Sequence, residues 1–118
     1  MTAPILKLGQ PVDLAHLGDT PGDRREMVLV KTSNVEVMYL AIPAGGNIPT
    51  YSPYGEVLLH CLDGRVYLSA NRLSGALRKG QLVRLEMNEP FSIHAVEHAR
   101  LLVTIVAPKV GPNVELIG

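Results

Sequence analysis

The side chains with the clearest capacity for chemistry are two tyrosines and two histidines, at Tyr51, Tyr54, His94 and His98. A tyrosine hydroxyl beside an imidazole can donate and accept protons, so such a pair supports acid–base chemistry without a metal. We therefore take these four residues as candidate ligand-binding residues. The alternatives are simple packing for the two tyrosines and a hydrogen-bonded structural role for each histidine.

The elements that must position these residues are short apolar segments. Several short strands separated by turns are typical of an all-β sandwich or barrel. No window shows a sustained helical repeat, and the best helix candidate, residues 73–79, contains Gly75. Seven apolar segments bounded by Gly, Pro, Asn or Asp predict strands: EMVLVK, VEVMYLAI, EVLLHCL, RVYLSA, QLVRLEM, FSIHAVE and RLLVTIVA.

A turn at Asp63-Gly64 separates two of these segments, VLLHCL and RVYLSA. Asp-Gly between apolar runs is a strong hairpin signal, because a type I′ turn needs positive φ at both central residues and Gly supplies it without steric cost. The sequence therefore predicts that the two segments pair antiparallel.

Around this turn, Gly45 and Gly64 have the spacing of the two glycines in the first sequence motif of the cupin superfamily, which the segment resembles. The three positions where that family carries metal ligands hold Tyr51, Pro53 and Val57. Pro and Val cannot bind a metal ion, and Tyr is an uncommon ligand. We therefore expect no metal and no other cofactor.

The motif also assigns alternate residues of this strand to the barrel interior. Val57, Leu59 and Cys61 are expected to face inward, and Glu56 and His60 to face outward. Cys61 is the only cysteine, so an internal disulfide is excluded. A small buried hydrophobe is its expected role.

A second resemblance to the cupin superfamily begins at Gly80, and within it His94 occupies a ligand position. Strand alternation along FSIHAVE places Ser92, His94, Val96 and His98 on one face, and the resemblance implies that this face points into the barrel. It also implies that the Tyr51 and Tyr54 loop lines the mouth of the cavity. His94 and His98 would lie about 13 Å apart in a regular strand and so could not share an ion.

The resemblance predicts an all-β, cupin-type double-stranded β-helix, that is, a jelly-roll barrel. We expect an N-terminal arm at residues 1–23, which includes a turn-rich loop at residues 18–23, and a single barrel domain at residues 24–118. A β-sandwich of another connectivity is the alternative.

Composition excludes several classes of partner. Eleven basic and eleven acidic residues give a formal net charge of zero, so neither nucleic acid nor an anionic membrane is an expected partner. The longest apolar run, LLVTIVAP, is too short to cross a bilayer, and the first ten residues do not resemble a signal peptide. We expect a soluble, cytoplasmic protein.

The leading functional hypothesis is a small-molecule binding or regulatory module with a pocket near Tyr51 and His94. One alternative is a metal-free isomerase or epimerase that uses this pair, and another is a metal-dependent enzyme with unusual ligands. Residues 57–62 and 101–106 carry apolar side chains at both odd and even positions, that is, on both faces of each strand. Both faces are therefore expected to be buried. This pattern predicts a homodimer, unless the N-terminal arm covers the outer face.

Overall fold

The computed structural model describes residues 5–17, 25–71 and 73–108. Apart from a single 3₁₀ turn at Leu14–His16, all regular structure in these residues is β-strand. The prediction of an all-β chain is confirmed. The nine strands of the described residues are β1 (Arg25–Lys31), β2 (Val35–Ile42), β3 (Asn47–Tyr51), β4 (Glu56–Asp63), β5 (Arg65–Ala70), β6 (Ser74–Arg78), β7 (Leu82–Leu85), β8 (Phe91–Ala95) and β9 (Ala99–Val106).

The strands form two antiparallel sheets that pack face to face. The five-stranded sheet has the order β1-β2-β9-β4-β7, and the four-stranded sheet has the order β3-β8-β5-β6. Strands that follow each other in the sequence therefore often lie in opposite sheets, which is the arrangement of a jelly roll.

The core lies between the sheets and follows from alternation along the strands. In β4 the residues Val57, Leu59 and Cys61 are buried, while Glu56 and His60 are only partly buried. The predicted inward and outward positions of β4 are thus confirmed. Leu68 and Ile93 supply part of the opposite wall from the four-stranded sheet.

The predicted hairpin at Asp63-Gly64 is wrong, because β4 and β5 belong to different sheets. Asp63 does not have positive φ, so the turn is not type I′, whereas Gly64 has φ +76°. A Cβ at Gly64 would collide with the carbonyl oxygen of His98. Gly64 therefore lets the backbone pass close to His98 where the chain crosses from one sheet to the other. It does not form a two-residue hairpin.

All seven predicted apolar segments contain a strand, but two strands were not predicted. β3 contains Pro49, and β6 covers most of residues 73–79, the best helix candidate. In β6, Gly75 pairs with Leu68 of β5. Cross-strand pairing thus fixes this segment as a strand, although its own residues show little alternation.

Residues 5–17 cover part of the outer face of the five-stranded sheet. The amides of Ile5 and Leu6 donate to the carbonyls of Val28 and Leu29 in β1. The predicted loop at residues 18–23 and the predicted boundary between residues 23 and 24 lie outside the described residues.

A second apolar cluster forms beneath the arm. Leu14 and Leu17 pack against fully buried Tyr39, whose hydroxyl donates to the Leu17 carbonyl at 2.8 Å. The Arg100 guanidinium donates to the carbonyls of Leu14 and Ala15. The arm is thus held by both apolar and polar contacts.

Candidate functional site

The middle of the barrel is apolar at the positions where the cupin motif carries ligands. Val57 is fully buried and Pro53 is buried, and neither side chain can bind a metal ion. Across residues 5–17, 25–71 and 73–108, no three His, Cys, Asp or Glu side chains converge on a common point. The residues present do not fit the metal site that the motif implies.

His94 lies on the outer face of the four-stranded sheet, so its predicted inward orientation is wrong. Phe91, Ile93 and Ala95 of the same strand are buried between the sheets, and His94 is exposed. Because side chains alternate along a strand, these three apolar residues force His94 outward. Its Nδ1 lies 2.7 Å from Oδ1 of Asn47, its direct partner in β3.

His98 lies in the turn between β8 and β9, near the end of the barrel opposite to the tyrosines. The stretch of β9 from Ala99 to Ile105 spans about 20 Å, and only Ile105 lines the cleft that contains Tyr51. Nε2 of His98 is buried without a hydrogen-bond partner in the described part of the chain. His98 therefore does not join Tyr51 in one site.

Tyr51 and Tyr54, in contrast, meet in a cleft of about 180 Å³ at one end of the barrel. We call it the end cleft. It is formed where the β1–β2 turn, the loop after β3 and the end of β9 come together. Its lining residues are Lys31, Thr32, Asn34, Val35, Glu36, Tyr51, Tyr54, Ile105 and Ala107.

Each tyrosine is positioned by a contact with the four-stranded sheet or its loops. Tyr51 is opposite Phe91 in the β3–β8 pair, and the two rings meet edge to face with centroids 5.8 Å apart. Next to Tyr54, the backbone N–H of Gly55 donates to the side-chain Oδ1 of Asn88 at 2.9 Å. The backbone N–H of Asn88 donates in return to the Gly55 carbonyl. This reciprocal pair ties the Tyr54 loop to the loop before β8.

The opposite wall of the end cleft comes from the turn between β1 and β2. Oγ1 of Thr32 accepts from the amides of Asn34 and Val35, at 3.1 and 3.0 Å, which closes the turn. The closed turn brings Lys31 and Glu36 opposite each other, with Nζ 3.6 Å from Oε1. A cation and a carboxylate thus lie beside the two phenols.

Tyr51 remains a proton donor in this setting. Burial raises the pKa of its phenol, and the nearby Glu36 carboxylate raises this pKa further. Both effects disfavour the phenolate. The cleft can therefore offer a hydroxyl donor, an ammonium, a carboxylate and two aromatic rings to a ligand.

Sequence reasoning missed Lys31, Thr32, Asn34 and Glu36. They lie well before the tyrosines in the chain, and charged residues beside a turn are ordinary on a protein surface. The one usable signal was Thr32-Ser33-Asn34, which favours a tight turn between two apolar segments. It predicts the turn but not what the turn faces.

Comparison with solved structures determines the fold. A conserved protein of unknown function from Streptococcus pyogenes aligns over 92% of this chain and 98% of its own, at 17% identity and a TM-score of 0.74. A cupin superfamily protein from Desulfitobacterium hafniense aligns over 92% and 100%, at 14% identity and a TM-score of 0.77. This chain has the cupin fold.

An RmlC-like cupin with a double-stranded β-helix from Methanocaldococcus jannaschii aligns over 75% of this chain and 84% of its own, at 18% identity and a TM-score of 0.68. The predicted cupin-type double-stranded β-helix is thus confirmed. No protein-family model and no curated protein sequence matches the chain. In the described residues no helix is long and apolar enough to span a membrane.

Proposed function

We propose that this cupin-fold chain is a metal-independent small-molecule binding module whose ligand occupies the end cleft. The observation that carries the proposal is the juxtaposition of Tyr51 and Tyr54 with the Lys31–Glu36 pair at the barrel end. Binding sites combine apolar or aromatic walls with a few convergent polar groups, and the end cleft has both. Among the described residues, the core between the two sheets is built from apolar side chains.

The chemistry of the cleft favours a small ligand with a cyclic or planar body and an anionic group. The two tyrosine rings provide rigid, amphipathic contact area for the body. Lys31 is largely exposed, so its ammonium can reach a carboxylate or phosphate on the ligand. Tyr51, which keeps its proton, donates a hydrogen bond to a ligand oxygen.

The isomerase or epimerase hypothesis required Tyr51 and His94 to face one cavity. Tyr51 shares the inner face of its strand pair with Phe91, whereas His94 points to the outer face of the same sheet. The structure does not bring the two residues together. The end cleft instead places Glu36 near Tyr51, an arrangement that supports hydrogen bonding and keeps the phenol protonated.

A panel of small carboxylates and phosphates with cyclic bodies, screened by thermal shift and then by titration calorimetry, tests the proposal. We expect at least one compound to bind the wild type, and Lys31→Gln and Tyr54→Ala to weaken that compound about tenfold. Arg84→Gln is the matched control, because Arg84 lies on the outer face of the five-stranded sheet. If the affinity is unchanged in Lys31→Gln and Tyr54→Ala, the ligand does not bind in the end cleft.

A further inference from the structure

A polar surface covers the outer face of the four-stranded sheet, away from the end cleft. We call it the Tyr67 face and define it by Asn47, Arg65, Tyr67, Arg78 and His94. The alternate residues of β5, β6 and β8 are buried, so these side chains on those strands point to solvent. Asn47 pairs directly with His94 and therefore shares its face.

The register of the sheet places an aromatic ring beside neutral hydrogen-bonding groups. Asn47 is opposite His94, and His94 is opposite Tyr67, so the three form one row across three strands. Neighbouring positions in such a row are about 4.8 Å apart. Tyr67 is 45% exposed, which leaves much of its side chain open to a ligand.

The hydrogen bond between His94 and Asn47 determines which ring nitrogen of His94 donates and which accepts. Oδ1 of Asn47 can only accept, so Nδ1 of His94 carries the proton at their 2.7 Å contact. In the neutral imidazole Nε2 is then an acceptor. Ser69 and Ser92, paired with each other in the next row, add two hydroxyl groups. The surface therefore suits a ligand rich in hydroxyl groups.

On the other side of Tyr67, two arginines oppose each other. Arg65 and Arg78 are direct cross-strand partners on the outer face, and like charges in this position repel. Glu97 is the one carboxylate paired with either of them in the described residues, with its Oε2 3.8 Å from Nε of Arg65. Two arginines beside one carboxylate favour an additional anion at this position.

We propose that the Tyr67 face binds an acidic carbohydrate. A sugar ring packs its C–H face on the Tyr67 ring, and its hydroxyl groups bond to His94 and Asn47. A carboxylate or sulfate on the same or the next sugar lies between the guanidinium groups of Arg65 and Arg78, which bind such groups in a bidentate manner. This site is independent of the ligand proposed for the end cleft.

Composition argues against a protein or a nucleic acid on this face. The fully buried centre of a protein interface is apolar, whereas the neighbours of Tyr67 on its face include Arg65, Ser69 and His94. Nucleic acid binding needs an extended basic stripe, and here the cations occupy one end of the face while the chain as a whole is neutral.

The test is an NMR titration of the full-length, ¹⁵N-labelled protein with oligogalacturonate as the acidic probe. Maltohexaose serves as the neutral probe and a thymidine oligonucleotide as the nucleic acid probe. We expect oligogalacturonate to shift the amide signals of β5 and β8, to bind more weakly as salt is added, and to bind at least about tenfold more tightly than either other probe.

Variants then locate the site. Tyr67→Ala should weaken oligogalacturonate binding about tenfold, and Tyr67→Phe, which keeps the ring, should retain it. Arg78→Gln should weaken binding of the acidic probe, while Arg84→Gln on the other sheet should not. Thermal unfolding of each variant establishes that it is folded.

Four results would overturn the proposal. One is the absence of oligogalacturonate binding, and another is binding that Tyr67→Ala and Arg78→Gln leave unchanged. The third is equal or tighter binding of the oligonucleotide. If Tyr54→Ala abolishes oligogalacturonate binding, the probe occupies the end cleft and the Tyr67 face is not its site.

Discussion

The outer faces of the two sheets differ in both chemistry and cover. On the five-stranded sheet, Tyr39 and Ala41 are buried although they point away from the core, because the arm with Leu14 and Leu17 lies over them. On the four-stranded sheet, Tyr67 and His94 occupy comparable outward positions and remain exposed. The arm thus covers part of the apolar outer face, while the polar outer face stays open to solvent.

The largest expected effect comes from removing the apolar contacts of the arm. The double variant Leu14→Ala/Leu17→Ala should lower the free energy of unfolding by about 2–4 kcal/mol, because both side chains are only partly buried against Tyr39. Urea denaturation measures the change. Met87→Ala, at an exposed position, should change it by less than about 0.5 kcal/mol. Equal effects of the two changes would show that the arm contributes nothing to stability.

A second prediction concerns the part of the apolar face that the arm leaves open. Leu58 and Leu82 lie on the outer face of β4 and β7, beyond the cluster beneath the arm, and Leu82 is 63% exposed. We propose that a second copy of the chain covers them in an isologous dimer. Size exclusion with light scattering should give about twice 12.8 kDa for the wild type.

Leu82→Asp should shift this mass toward that of the monomer, since it buries a carboxylate at the contact. Ser69→Asp, on the outer face of the other sheet, should leave the dimer intact. A monomeric wild type at micromolar concentration would contradict the dimer. The arm alone would then cover the apolar outer face of the five-stranded sheet.

A smaller effect is expected at the buried hydroxyl under the arm. Tyr39→Phe removes the hydrogen bond to the Leu17 carbonyl and should cost about 1 kcal/mol of unfolding free energy. Urea denaturation again provides the measurement. A cost below the error of the method would mean that water replaces the lost donor.

The smallest effect lies in the end cleft, where the two sheets meet. The pKa of Tyr51 is raised by burial and then by Glu36, so the folded state binds the phenolic proton more tightly than the unfolded state. The stabilisation is complete below the unfolded pKa of about 10 and is lost as pH rises through the higher folded value.

Absorbance titration of the phenolates should therefore show a late-titrating component that Tyr51→Phe removes. Glu36→Gln should lower the pKa of Tyr51 but not fully to its ordinary value, because the contribution from burial remains. If Glu36→Gln leaves this titration unchanged, the Glu36 carboxylate does not contribute to the raised pKa of Tyr51.

The sequence predicted the strands whose apolar residues alternate or run continuously, and it predicted the interior face of β4. The same reasoning failed at β8, where a motif position was given more weight than Phe91, Ile93 and Ala95. Burial of three apolar side chains outweighs the placement of one imidazole. β3 and β6 were missed because Pro49 and Gly75 interrupt their patterns and cross-strand partners define them.

Only part of the candidate site could be predicted from the sequence. Tyr51 and Tyr54 are close in sequence and stand at a predicted loop, so their proximity could be inferred. Lys31 and Glu36 reach them through the antiparallel pairing of β1 and β2 and the packing of one sheet on the other. Such contacts depend on topology, which local pattern does not specify.

The position of β9 in its sheet has a consequence for synthesis of the protein. β9 lies between β2 and β4 and bonds to both, although β5, β6, β7 and β8 separate it from them in the sequence. While the chain emerges from the ribosome, each of these strands exposes an unpaired, apolar edge until residues 99–106 have left the exit tunnel. The sheet can therefore close only after β9 has emerged, and until then the unpaired edges of β2 and β4 favour aggregation of the nascent chain.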